Sequence, residues 1–235
     1  MRRLSCRIVI LLSLAILAVA QEPTASHGSQ SHEAAQPAES ADNIWLELMK
    51  GNERFISGNL KHRSLVRVRD SLIQSQHPKV MVLSCSDSRV PPELIFDQTL
   101  GALFEVRTAG NIAGPLGLAS LEYAFDHLGS SVLVVLGHTH CGAVTAACSG
   151  EKMPTDNLQA MVDQIEPAVM KAKGSATGDA LIESAIIENV HESAAYVLAH
   201  SETLRRGKEA GKLTVIEAEY QLDTGKVVRL DQAVH

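Results

Sequence analysis

Two hydrophobic periods alternate along this chain. Four short runs rich in β-branched residues read as strands: Val80-Met81-Val82-Leu83-Ser84, Leu103-Phe104-Glu105-Val106-Arg107-Thr108, Val132-Leu133-Val134-Val135-Leu136-Gly137 and Leu213-Thr214-Val215-Ile216-Glu217-Ala218-Glu219-Tyr220. The first and third are almost wholly apolar, the pattern of strands covered on both faces. Between the runs the apolar positions shift to helical spacing. Residues 116–128 put Leu121, Phe125 and Leu128 on one side, and residues 180–200 do the same with Ile182, Ile186, Val190 and Val197. A helix over 44–58 opens the ordered chain, with Asp42 or Asn43 as N-cap and Gly58 as stop. A polar helix over 66–75 follows, and residues 93–96 form a short apolar turn. Residues 153–177, punctuated by Pro154, Pro167, Gly174 and Gly178, read as a flexible helical hairpin. Asp223-Thr224-Gly225 turns the fourth strand back into an edge strand at Val227-Val228-Arg229-Leu230. The alternation predicts an α/β fold: a mostly parallel β-sheet of four strands plus an antiparallel edge strand, flanked by helices.

The N-terminus changes the picture of where the chain works. Arg2, Arg3 and Arg7 precede an apolar stretch over 8–19 that ends Ala18-Val19-Ala20, the pattern of a Sec-type signal peptide. It is shorter than the roughly 20 apolar residues of a membrane-spanning helix. The expected organisation is a signal peptide over 1–20, a Ser-, Ala-, Gln- and Pro-rich flexible linker over 21–43, and a folded domain over 44–235. The product would be periplasmic or secreted, with no stable membrane anchor after cleavage. Removing the leader takes away three Arg and no acidic residue, moving the formal charge from -6 to -9. So acidic a chain has no electrostatic reason to bind nucleic acid or anionic lipid. Cys6 leaves with the leader; Cys85, Cys141 and Cys148 remain, too few for a disulfide framework.

The candidate chemistry sits where two strands end. The first run closes on Cys85-Ser86-Asp87-Ser88-Arg89, and the third runs into His138-Thr139-His140-Cys141-Gly142. In open α/β sheets ligands bind beyond the carboxyl ends of the strands, so these two ends would deliver Cys85, His138 and Cys141 to one crevice. Two thiolates and an imidazole suit Zn2+ and leave a fourth position for water or for Asp87. Cys148, among small apolar neighbours, reads as a packed helix residue. His140 points away from the ligands, and His191 and His200 read as surface or helix-end residues.

The segments Cys85-Ser86-Asp87-Ser88-Arg89-Val90 and His138-Thr139-His140-Cys141-Gly142-Ala143 resemble the signature segments of the β-class carbonic anhydrases. The similarity extends from Gly51-Asn52-Glu53-Arg54-Phe55 to Asp223-Thr224-Gly225-Lys226-Val227, through Arg107-Thr108-Ala109-Gly110-Asn111. It implies reversible hydration of carbon dioxide to bicarbonate and a proton by zinc-activated water, with one Zn2+ per subunit. Cys85, His138 and Cys141 would be the metal ligands. Asp87, held by Arg89, would orient the attacking oxygen, or in a closed state bind zinc itself. Gln76 would contact bicarbonate, and Phe104 and Tyr123 would line the substrate pocket. The resemblance also implies a homodimer or dimer of dimers, with the first helix as an arm across a partner; packing of that helix on its own core is the other reading. Glu217 takes no role from the resemblance. Hydrolysis of carbonyl sulfide or carbon disulfide on the same scaffold, and a non-catalytic zinc-binding module, are the alternative functions.

Overall fold

In the computed structural model, which describes residues 39–230, β1 (Val80–Cys85), β2 (Leu103–Thr108), β3 (Val132–His138) and β4 (Thr214–Tyr220) run parallel, and β5 (Val227–Arg229) pairs antiparallel with β4. The sheet order is β2-β1-β3-β4-β5. The expected leader over 1–20 and the linker up to residue 38 lie outside the described residues. Every position of β1 and β3 is buried, as their unbroken apolar runs require. The chain leaves β1 to one side to form β2, then crosses to the other side of β1 to form β3. The connections leaving β1 and β3 therefore part, and a crevice opens at this switch point.

Among the described residues eight helices accompany the sheet: α1 (Ala41–Ile56), α2 (Leu65–Ser71), α3 (Pro92–Ile95), α4 (Pro115–Leu128), α5 (Gly142–Ser149), α6 (Asp156–Lys173), α7 (Asp179–His200) and α8 (Glu202–Glu209). Strand residues alternate between the two faces. Val80, Val82, Val134 and Ile216 pack with Ile44, Leu48, Ile95 and Phe96 on one face. Met81, Leu83, Leu133 and Val135 pack with Leu121, Val190, Val197 and Leu204 on the other. Each such fully buried aliphatic side chain contributes about 2 kcal/mol of transfer free energy.

The first helix differs from the sequence reading. Its N-cap is Ser40, whose hydroxyl accepts from the Asn43 N–H at 3.2 Å, so Ala41, Asp42 and Asn43 belong to the helix and not to the linker. Its Ile44 and Leu48 are buried on this chain's own core, so that stripe is occupied within the chain. Gly51 lets the helix settle on α3: a Cβ there would meet the Phe96 carbonyl oxygen at 1.8 Å. Buried Asn52 donates to the carbonyls of Ile95 and Gly225 and accepts from the Val227 N–H. It ties α1 to α3 and to the β4–β5 hairpin.

Four further segments differ from expectation in extent or kind. The second helix stops at Ser71 and not at residue 75, and residues 92–95 form a helical turn. The region over 153–177 holds one 18-residue helix, α6, with Pro167 inside it. A proline in a helix interior removes one backbone hydrogen bond; the burial of Val162, Ile165, Ala168, Val169 and Ala172 outweighs that loss. No element was expected over 202–209, yet α8 forms there. Ser201 caps it by accepting from the Leu204 N–H, and Gly207 lies against the Phe125 ring. Among the described residues no helix is long and apolar enough to cross a membrane.

Candidate metal centre

Three side chains converge at the switch point. Cys85 ends β1, His138 ends β3, and Cys141 is the N-cap of α5. All three are buried, and their ligand atoms lie within 4.8 Å of one another. The sequence puts them there for simple reasons: both strands are fully buried and parallel, so their last residues open onto the same crevice, and the turn after His138 brings Cys141 back to it.

The His138 ring is fixed from behind. Its Nδ1 lies 2.9 Å from the Thr139 carbonyl, a contact that requires the proton on Nδ1 and leaves a lone pair on Nε2. That Nε2 is buried without a hydrogen-bond partner, a costly condition for a polar atom unless something else occupies it. The neighbouring Cys141 outweighs the cost of burial and brings the Cys85 thiol down to about 4, with His138 and the N–H groups of Gly110 and Asp87 adding to the effect. Facing that thiolate, Cys141 is pushed up. A buried thiolate, a thiol with a displaceable proton and an orphaned imidazole nitrogen fit a soft divalent cation, and a sulfur-rich tetrahedral donor set fits zinc.

Asp87 stands beside this cluster and not in it. Its Oδ1 accepts from the Arg89 Nε at 2.9 Å and its Oδ2 from the Arg89 Nη2 at 2.7 Å. The Arg89 backbone N–H also reaches Oδ1 at 2.9 Å. This fork holds the Asp87 carboxyl well below the usual carboxylate range. Arg89 reaches on to the His140 carbonyl at 3.4 Å. His140 itself is exposed, with φ of 57°, consistent with its expected place outside the ligand set.

Two further residues support the site, of which only Gly110, in a segment expected to let the backbone approach the crevice, had a role in the sequence. Arg107, in β2, donates to the carbonyls of Cys85 at 3.1 Å and Asp87 at 2.7 Å. A guanidinium near the end of a strand that leads to the crevice was the available signal. Gly110, at φ of 74°, gives its N–H to Cys85 Sγ at 3.3 Å, and its carbonyl accepts from Asn189 at 2.8 Å. Glu217 also finds its explanation. Its carboxylate pairs with Nδ1 of His191, so His191 is a half-buried partner and not the free surface residue expected. His200 stacks on Tyr196 at the end of α7, and Cys148 packs at the margin of the cluster holding Cys85 and Cys141.

The expected substrate residues lie elsewhere on the single chain. The rings of Phe104 and Tyr123 stand 6.3 Å apart. Tyr123 and Gln76 line a cavity of about 610 Å³ whose walls include His77 and His127 but none of Cys85, His138 and Cys141. One chain thus gathers the three ligands with Asp87 and Arg89, and does not bring Gln76 and Tyr123 into the same cavity.

The carbonic anhydrase family model matches residues 80–227, which span β1 to β5. The chain belongs to the β-class carbonic anhydrases. It is 37% identical over 191 residues to carbonic anhydrase 2 of Mycobacterium tuberculosis, covering 80% of this chain and 91% of that one. With the carbonic anhydrase of Synechocystis it shares 32% over 205 residues, 80% and 72% of the two chains. Among solved structures, the β-carbonic anhydrase CcaA matches with a TM-score of 0.63 at 28% identity, over 82% of this chain and 90% of that one. This carbonic anhydrase therefore has the activity of its family, zinc-dependent hydration of carbon dioxide, and its Cys–His–Cys cluster is of the kind that activity needs. The sulfur-substrate and non-catalytic readings are not favoured.

Proposed function

We propose that each subunit holds one Zn2+ through Cys85, His138 and Cys141, and that Asp87 and Arg89 orient the reacting oxygen for attack on carbon dioxide. The observation that carries this reading is the buried, partnerless Nε2 of His138 between two sulfurs, with the Arg89-clasped carboxylate 4.0 Å away. When bound, zinc makes a water acidic enough to ionise near neutral pH. The residues do the rest. Asp87, ionised and acceptor-only, takes the hydrogen bond of the attacking O–H and so turns a lone pair toward carbon dioxide. Arg89 keeps Asp87 ionised and in place with two parallel bonds. While that fork is closed, Asp87 is committed to orientation and would not itself hold the metal. Arg107 and Gly110 hold the turn that carries Cys85 and Asp87.

We infer further that the working unit has at least two copies, as a dimer or dimer of dimers. Gln76, Phe104 and Tyr123 can serve a metal centre only if another copy brings them over it. Apolar Leu94, Leu100, Leu116 and Tyr123 are exposed on one chain, a surface that association would cover. Export rests on the pattern over 1–20, and N-terminal sequencing of the protein from cell fractions tests it.

The activity test is stopped-flow hydration of carbon dioxide by zinc-analysed protein starting at Gln21, from about pH 6 to 9, spanning the expected pKa of zinc-activated water. Turnover should rise with pH and vanish on chelation. A sharp collapse at the acid end would mean that Asp87 moves onto the metal. No turnover at any pH in zinc-loaded protein would overturn the reading and turn attention to carbonyl sulfide and carbon disulfide.

A further inference from the structure

A second cavity opens at the carboxyl end of the sheet, lined in part by Thr139 and His140 and by none of the three metal ligands. Its volume is about 520 Å³, within the range of small-molecule sites, roughly 300 to 1,000 Å³. Its lining divides by chemistry. Glu183, Glu219 and Asp223 contribute three carboxylates, Ile182, Ile186 and Ile187 of α7 contribute an apolar wall, and Thr139, His140 and Gln221 complete the rim.

Glu219 is the unusual member. It is 9% exposed, and among the described residues its side chain makes no hydrogen bond or ion pair. Glu217, two positions earlier on the same face of β4, faces α7 as well and is satisfied by His191. The next carboxylate along the strand has no such partner. Burial, then the neighbouring Glu183 and to a lesser degree Asp223, push its carboxyl up, outweighing the opposite effect of His138. An unpaired buried carboxylate is costly, and two further acidic groups on the same cavity increase that cost.

We propose that this cavity binds a small organic cation, a primary ammonium on a short apolar body, with the ammonium at Glu219 between Glu183 and Asp223 and the body against the isoleucines of α7. The spacing favours an ammonium over a bare metal ion. Among the described residues only Cys85, His138 and Cys141 bring ligand atoms close enough together to hold an ion directly. Three dispersed carboxylates suit an ammonium with three N–H donors. The isoleucine wall gives a hydrocarbon chain a surface that a hydrated metal ion cannot use.

The test is calorimetric titration of the zinc-loaded protein with 3-methylbutylammonium, beside the neutral 3-methylbutan-1-ol and Ca2+. The expected result is saturable uptake of one ammonium per chain, with no uptake of the alcohol. Glu219→Gln should weaken it about tenfold, the loss of one buried charge-assisted contact. Glu183→Gln and Asp223→Asn, at exposed positions that leave the fold intact, should each weaken it about threefold. If Glu219→Gln fails to fold, these two variants carry the test. Absence of saturable binding, equal binding of the alcohol, or indifference to Glu183→Gln and Asp223→Asn overturns the proposal. So does Ca2+ that saturates the site and excludes the amine, which would assign it to an inorganic ion.

Discussion

Oδ2 of Asp87 lies 4.0 Å from Nε2 of His138 while both carboxylate oxygens are held by Arg89. A group so placed can serve the reacting oxygen or the metal, and the Arg89 fork decides between them. The arrangement separates orientation from ligation, and substitution can tell them apart.

Asp87→Asn keeps the size of the side chain and one carbonyl oxygen but removes the charge that Arg89 clasps. Turnover should fall by about 100-fold or more, the scale of a positioned proton acceptor, while metal analysis still finds close to one Zn2+ per chain. Zinc and activity lost in equal proportion would make Asp87 a ligand.

β1 and β3 were legible to within one residue because a fully buried parallel strand leaves an unbroken apolar run; β2, half-buried at the sheet edge, was read to the residue. The ligands were legible because buried strands must end at the crevice and reactive residues stood at two such ends. What the sequence hid depended on distant partners. Pro167 reads as a break until the five buried positions of α6 are seen against α5 and α7. α8 escaped because its short polar segment is held by Leu204 in a cleft that other elements form. Glu217 and His191 lie 26 positions apart, and no local pattern pairs them. Gln76, Phe104 and Tyr123 were expected by resemblance alone, and one chain cannot display a site that a second copy would complete.

Gly110 supports the metal centre through its backbone. Its φ of 74° suits glycine, its N–H reaches Cys85 Sγ, and a Cβ would meet Ile165 Cδ1 at 2.7 Å. Gly110→Ala must strain the turn or displace α6, and either shift moves the donor away from the sulfur. Loss of such an outer contact typically costs about 10- to 100-fold in metal affinity. Competition with a zinc chelator should register that loss while the far-ultraviolet circular dichroism stays unchanged. Wild-type zinc affinity in the variant would remove Gly110 from the support of the site.

Chelation should abolish turnover without unfolding the domain. The two large apolar clusters on either face of the sheet include none of Cys85, His138 and Cys141; a third cluster, around α5 and α6, takes in the two cysteines, so the cores on the sheet faces do not depend on the ion. Metal that binds only the folded state nevertheless stabilises it by mass action. Tm should therefore drop on chelation and recover, with activity, when Zn2+ is restored. Loss of secondary structure at ambient temperature on chelation would assign the ion a folding role that the separate cores argue against.

Asp97 offers a test of stability remote from the metal. Its carboxylate accepts from Nε of Arg54 and from Nη1 of Arg63, and the Lys61 N–H also reaches it. These contacts pin α1 and the following loop to the end of α3. Burial would raise this carboxyl, but the two guanidiniums and the N–H outweigh it and bring it from 3.8 down to about 2. A carboxyl depressed in the fold adds stability above its unfolded pKa and loses it as pH falls through the folded value. The contribution, about 2 kcal/mol, should thus be complete above about pH 4 and fade between about 4 and 2. Asparagine tolerates the φ of 45° found at this position, so Asp97→Asn removes the charge with little backbone strain. At pH 7 the variant should melt about 5 °C below the wild type, and the two should converge as pH approaches about 2. Equal melting at pH 7, or a gap that persists to the acid end, would show that the Arg54 and Arg63 contacts are not what holds Asp97 ionised.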